Sequence, residues 1–221
     1  TEAIRVRGGK AQIIAERCID CGECIRVCPY HAKIAYTDPF SDIGRFKHKI
    51  ALPAPSLYGQ FKNLPSIDRV VMGLKLMGFD DVYEVARGAD IISCAIRERI
   101  GRLDNLPVIS SACPAIVRLI PLRFPNLLGN IIDLKSPMEA AALAAKREYA
   151  EKHGVKTEDI GAFFITPCPA KMTSIKNPYG ADKSHVDGAF SVIDIYGLLA
   201  GQLKKPGLVV SEGATASVCG V

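Results

Sequence analysis

Residues 18–28 read Cys-Ile-Asp-Cys-Gly-Glu-Cys-Ile-Arg-Val-Cys, and Pro29 follows. Half of the chain's eight cysteines therefore fall in one short stretch. Thiolates in this C-x2-C-x2-C-x3-C-P register can converge on one metal core, and the register is one that holds 4Fe–4S cubanes. Cys18, Cys21 and Cys24 are spaced to wrap three corners of a cube from a single loop. Cys28 opens the next turn and points away. A disulfide or buried-thiol knot would need neither the register nor the proline.

In two-cluster bacterial ferredoxins the fourth cysteine serves the other cluster. This chain has no second run of that kind. Its 221 residues suffice for one substantial domain plus a small module, and a hydrophobic content of 48% supports a proper core, so that stability need not rest on metal alone. The formal net charge is +5, with both signs interleaved. The densest basic cluster, Arg45, Lys47, His48 and Lys49, has no repeating aromatic platform beside it. It reads as a solvated surface, so no nucleic-acid partner is expected. No apolar run approaches the roughly 20 residues of a membrane span. Cluster-type cysteines without a legible secretory segment point to a reducing cytoplasm.

Along the chain, residues 3–15 predict a β-hairpin turning at Gly8-Gly9. The cluster loop follows at once, and a module boundary is expected near residue 40, dividing the chain into 1–40 and 41–221. Residues 50–54 form a short apolar strand closed by Pro53 and Pro55. Ile67, Val70, Val71, Leu74 and Met77 give residues 66–77 helical spacing, with Gly78 as the stop. A second amphipathic helix is expected over 81–100, with Cys94 in the core. Residues 107–110 predict a buried strand, and 116–122 the start of a helix that Pro125 limits. Ser136-Pro137-Met138-Glu139 reads as a capping box opening an alanine-rich helix to about His153. Residues 161–166 predict a second buried strand, and 186–203 a last helix. Short apolar strands alternating with helices imply an α/β fold with a largely parallel sheet, behind a small α+β module. Ligands of such sheets bind at the carboxyl ends of the strands. Cys113 and Cys168 are both expected just past such an end.

These two cysteines lie in Ser110-Ser111-Ala112-Cys113-Pro114 and Thr166-Pro167-Cys168-Pro169-Ala170-Lys171. Each thiol sits on a rigid, proline-flanked turn, and Lys171 could lower the pKa of Cys168 or bind an anion over the same pocket. The same spacing also suits two small core hydrophobes, and a lysine there also suits solvent.

The two turns resemble the first and second active-site signatures of iron-only hydrogenases, Thr-Ser-Cys-Cys-Pro and Met-Pro-Cys-x-x-Lys. The order agrees: a ferredoxin-type module, Ala-Leu-Pro-Ala-Pro at 51–55, then both signatures with a helix between them. The resemblance implies that Cys113 and Cys168 ligate the cubane of an H-cluster, a 4Fe–4S unit joined to a di-iron unit. It also implies that Lys171 donates a hydrogen bond to a diatomic ligand of that unit. Cys18, Cys21, Cys24 and Cys28 would hold the 4Fe–4S cluster of the amino-terminal module.

Departures from the pattern bear on activity. Ala112 stands where catalytic members carry the proton-relay cysteine, and Ser174 where they carry the relay glutamate three residues after the lysine. Ile116 replaces a tryptophan. The third signature, a C-x3-C, is absent, and Cys219 falls too early to supply it, so a pocket or surface thiol is expected there. The family branch with these departures is linked to sensory or signalling domains, which implies a hydrogen or redox sensor with slow or no turnover and a redox partner or linked signalling domain. The resemblance further implies lost upstream cysteines before Thr1-Glu2-Ala3-Ile4 and a carboxyl end cut before the third signature. An alternative of another class is a non-catalytic iron–sulfur scaffold or assembly protein; a simple ferredoxin with an unrelated α/β domain fits the two turns less well.

Overall fold

The structure, a computed structural model, describes residues 1–62, 66–102 and 105–203. The chain opens with β1 (Ile4–Arg7) and β2 (Lys10–Ile13), paired antiparallel around Gly8-Gly9. Both glycines have positive φ, 55° and 71°, the left-handed geometry that a tight hairpin requires and that a Cβ opposes. The hairpin is largely exposed, and Ala3 is its buried contact. A 3-10 turn (Ala15–Arg17) and the short helix α1 (Glu23–Arg26) complete the amino-terminal module.

A 3-10 segment, Phe40–Arg45, leads into the main sheet. There β3 (His48–Pro53), β4 (Asp81–Val82), β5 (Ile160–Thr166) and β6 (Gly188–Ser191) form one parallel sheet in the order β4-β3-β5-β6. All seven residues of β5 are buried, as expected for a strand covered on both faces. The helices are α2 (Pro55–Tyr58), α3 (Asp68–Leu76), α4 (Val85–Ile100), α5 (Pro114–Arg123), α6 (Pro137–His153), α7 (Pro169–Lys176) and α8 (Val192–Leu203). On one sheet face Leu52, Ala162 and Phe164 pack with Met138, Ala141 and Ala145 of α6. On the other, Ala51, Phe163 and Ile165 pack with Leu74 of α3 and Leu199 of α8. Thus α/β layering arises from apolar strands sandwiched by the apolar stripes of helices.

Several sequence expectations need correction. Residues 81–100 are a strand followed by a helix: Asp81 and Val82 pair with Ile50 and Ala51 before α4 begins. Residues 186–203 divide the same way, because β6 pairs with β5 before α8 starts. In both cases a few apolar residues flank an apolar helix, and periodicity cannot separate them. Residues 107–110 form no sheet strand; Ile109 makes an isolated parallel bridge to Ile131. Ser136 begins α6 without capping it through its side chain, and its buried hydroxyl has no hydrogen-bond partner among the described residues. Glu139 bonds elsewhere: its carboxylate accepts from the Ser184 hydroxyl at 2.5 Å and the His185 N–H at 2.7 Å.

Cys94 is exposed rather than in the core. The buried line of α4 is Val85, Gly88 and Ile92. A residue two positions past Ile92 turns about 200° away from that line.

Candidate iron–sulfur centre and cysteine–proline turns

The loop after β2 enters left-handed backbone at two positions. Asp20 has φ 55° and Gly22 has φ 78°, and α1 then brings Cys24 back toward Cys18. Cys18, Cys21 and Cys24 line one cavity of about 570 Å³ with Ile4, Ile13 and Ile34 among its apolar walls. Cys28 is not part of that lining. Its sulfur accepts the Ala32 N–H at 3.4 Å. The N–H groups of Ala32, Tyr30 and His31, aided by Lys33, hold the Cys28 thiol below its ordinary pKa. Burial pushes the Cys18 thiol up, and the Asp20 carboxylate charge adds to the rise.

Among the described residues no three His, Cys, Asp or Glu side chains gather tightly enough to hold a single metal ion. Thiols spread around an apolar cavity suit instead a core of several metals, whose ligands stand at its walls. The backbone N–H groups that aim at a sulfur do so at Cys28, outside this cavity, and hydrogen bonds to a cluster's sulfurs help set its potential. The residues therefore fit an iron–sulfur cluster.

The cavity is closed from the α/β side. Pro169 and Thr173 of α7 line it, and a Cβ on Gly22 would lie 2.7 Å from Pro169 Cγ. The Asp20 carboxylate pairs with Arg118 of α5, and the same guanidinium donates to the Asn177 carbonyl at 3.2 Å. Farther along α7, Lys176 reaches Asp38 at 2.5 Å and sits 4.7 Å from the Tyr36 ring centre. Neither Gly22 nor Arg118 is legible from the sequence. Both act through contacts distant in the chain, so no local spacing signals them.

The second signature follows β5 as expected. Cys168 is the N-cap of α7, with Pro169 at the first helical position, and its N–H donates to Thr166 Oγ1 at 3.2 Å. Cys113 is likewise the N-cap of α5 ahead of Pro114, but it follows the isolated bridge rather than a sheet strand. The two helices pack together, so the two turns open neighbouring helices. Helix amino termini carry positive partial charge and favour an anionic group at each turn. Cys113 is exposed and Cys168 half-buried.

Ser174 is buried and donates its hydroxyl to the Lys171 carbonyl at 3.0 Å. It lines a second cavity, about 230 Å³, together with Ser111, Pro114 and Glu139. Ala112 adjoins this cavity in sequence, between Ser111 and Cys113. Cys113, Cys168 and Lys171 do not line it. The Lys171 ammonium stands 5.7 Å from the Phe164 ring centre instead. Cys219 lies outside the described residues.

The family model for the iron only hydrogenase large subunit, C-terminal domain, matches residues 47–205, well over half of the chain. The chain belongs to the iron-only hydrogenase family. A second model, the 4Fe–4S binding domain, matches residues 11–34 and encloses all four cysteines of the first motif. Both cysteine–proline turns fall within the hydrogenase match. Iron hydrogenase 1 of Clostridium pasteurianum is 29% identical over 143 residues, 60% of this chain and 25% of that protein. NADP-reducing hydrogenase subunit HndD of Solidesulfovibrio fructosivorans is 25% identical over 182 residues, covering 73% of this chain and 31% of its own length. The chain thus spans about a quarter to a third of the curated relatives it matches. A variant of the hydrogenase HydA1 from Chlamydomonas reinhardtii has the same fold, with TM-score 0.61 and 21% identity over 76% of this chain and 47% of that one. The protein is an iron–sulfur, hydrogenase-like protein with a 4Fe–4S domain.

Proposed function

We propose that this chain is a low-turnover member of the iron-only hydrogenase family that senses hydrogen or redox state. Cys18, Cys21 and Cys24, with Cys28, would hold the 4Fe–4S cluster, and Cys113 and Cys168 the cubane of an H-cluster in the full-length protein. A cubane held by these thiolates carries one electron at a time. The chain's own contribution is to position the sulfurs beside apolar walls and bring the amino-terminal cavity against α7.

The observation that carries the reading is the state of Ala112 and Ser174. A methyl group at 112 has no ionisable proton, and the Ser174 hydroxyl is buried and committed to the Lys171 carbonyl. Both stand where the resemblance puts proton-relay groups, and a general acid with a suitable pKa is normally required there. Binding without rapid turnover suits a sensor. The division near residue 40, a redox partner or linked signalling domain, and a reducing cytoplasm complete the proposal. Among the described residues no helix is long and apolar enough to cross a membrane.

Ala112→Cys with Ser174→Glu, in the full-length, maturated protein, is expected to raise hydrogen turnover by about 100-fold or more, the usual contribution of positioned acid–base groups. An unchanged rate would overturn the relay argument. A second reading, a non-catalytic iron–sulfur scaffold, draws support from Cys113, Cys168 and Lys171 all standing outside the cavity beside Ser174. Infrared bands of iron-bound carbonyl and cyanide separate the two, since only a protein carrying the di-iron unit gives them.

A further inference from the structure

Arg118 joins three segments that the sequence keeps apart. It leaves α5, pairs with the Asp20 carboxylate in the cluster loop, and donates to the Asn177 carbonyl just past α7. About three-quarters of each charged side chain is covered, with exposures of 22% for Arg118 and 25% for Asp20. Asp20 also stands beside a cavity sulfur, with its Oδ1 3.5 Å from Cys18 Sγ. The guanidinium therefore compensates a carboxylate charge directly beside one of the three sulfurs. An ammonium could supply the charge but not the fork that reaches both Asp20 and Asn177.

We propose that the Asp20–Arg118 pair sets the reduction potential of the cluster held by Cys18, Cys21 and Cys24, Arg118 acting as a positioning residue that also holds the loop against α5 and α7. This rests on reading the cavity as a 4Fe–4S site. Reduction adds one electron to a core already rich in thiolate charge. A nearby uncompensated carboxylate opposes that electron, and a guanidinium favours it. Half-burial reduces the solvent screening that would otherwise mute the effect.

The test uses the whole chain loaded anaerobically with iron and sulfide and titrated with dithionite, the cluster being followed by visible absorption and electron paramagnetic resonance. Arg118→Gln leaves Asp20 uncompensated and is expected to lower the potential. At a fixed poise the reduced-to-oxidised ratio should fall about tenfold, which for a one-electron couple is 59 mV. Asp20→Asn is expected to raise the ratio by a comparable factor, and the double variant to return near the parent. Opposite signs distinguish charge from loosening of the loop, which would move both single variants the same way. Arg118→Lys should recover most of the parent ratio. Unchanged potentials in both single variants, or shifts of one sign, overturn the proposal. Should Arg118→Gln fail to fold, the rise in Asp20→Asn decides alone. A parent chain that takes up no iron and sulfide overturns the cluster reading itself, and does so before any potential is measured.

Discussion

At Gly22 the missing side chain has a reason, because the ring of Pro169 occupies the place a Cβ would take. Its φ of 78° adds a second requirement, since a non-glycine residue there costs roughly 1–2 kcal/mol. Gly22→Ala should therefore loosen the loop from α7, and hydrogen exchange of the amides at 18–28 is expected to quicken while β5 stays protected. Equal exchange in variant and parent would refute that docking. His185 supplies a pH dependence. Burial lowers its pKa from the ordinary 6.5, with Lys135 adding to the fall. The folded state thus resists a proton that the unfolded chain accepts, so stability present above about pH 6.5 declines on acidification. The unfolding midpoint should drop between pH 7 and 5, and His185→Gln should flatten that slope.

The strands and helices owe their legibility to how many residues carry each pattern. Residues 160–166 are apolar throughout and could be read as a buried strand directly, and Gly78 marked the end of α3 correctly, with φ 109°. The two-residue β4 could not be read, because Asp81 and Val82 become a strand only by pairing with Ile50 and Ala51. Ser136 and Glu139 show the complementary failure: the sequence fits a capping box, yet Ser184 and His185, far along the chain, claim the carboxylate. The four cysteines of the cluster loop were legible as a set because their spacing is local. The pairing of Asp20 with Arg118 was not. Helix packing gives a further test, since Gly88 of α4 faces α6 with a Cβ position 2.8 Å from Ala141 Cβ. Gly88→Ala is expected to destabilise the fold by about 1–3 kcal/mol through overpacking. Gly197 of α8 faces open space, so Gly197→Ala should stabilise it by up to about 1 kcal/mol. Urea denaturation measures both, and equal effects at the two sites would contradict this account of α4–α6 packing.

Over the whole molecule, stability is divided unequally. The α/β part has an apolar cluster on each sheet face, whereas the hairpin buries little beyond Ala3. With so little buried apolar surface of its own, the amino-terminal part is expected to depend on a bound cluster and on its contacts with α5 and α7. Stripping the cluster with a chelator and oxidant should make residues 1–34 susceptible to protease while most far-UV circular dichroism persists. Loss of the entire helical signal would mean that the larger part also depends on metal.

The eight residues of α7 span about 12 Å. One end touches Gly22 through Pro169, and the other is tethered to Asp38 through Lys176. Such a short bar has little freedom to absorb displacement along its length. A sideways shift of about 1 Å at one end tilts it by about 5°. Because Cys168 is seated at the end nearer the cluster loop, a displacement of that loop bears on Pro169, the residue bonded to Cys168.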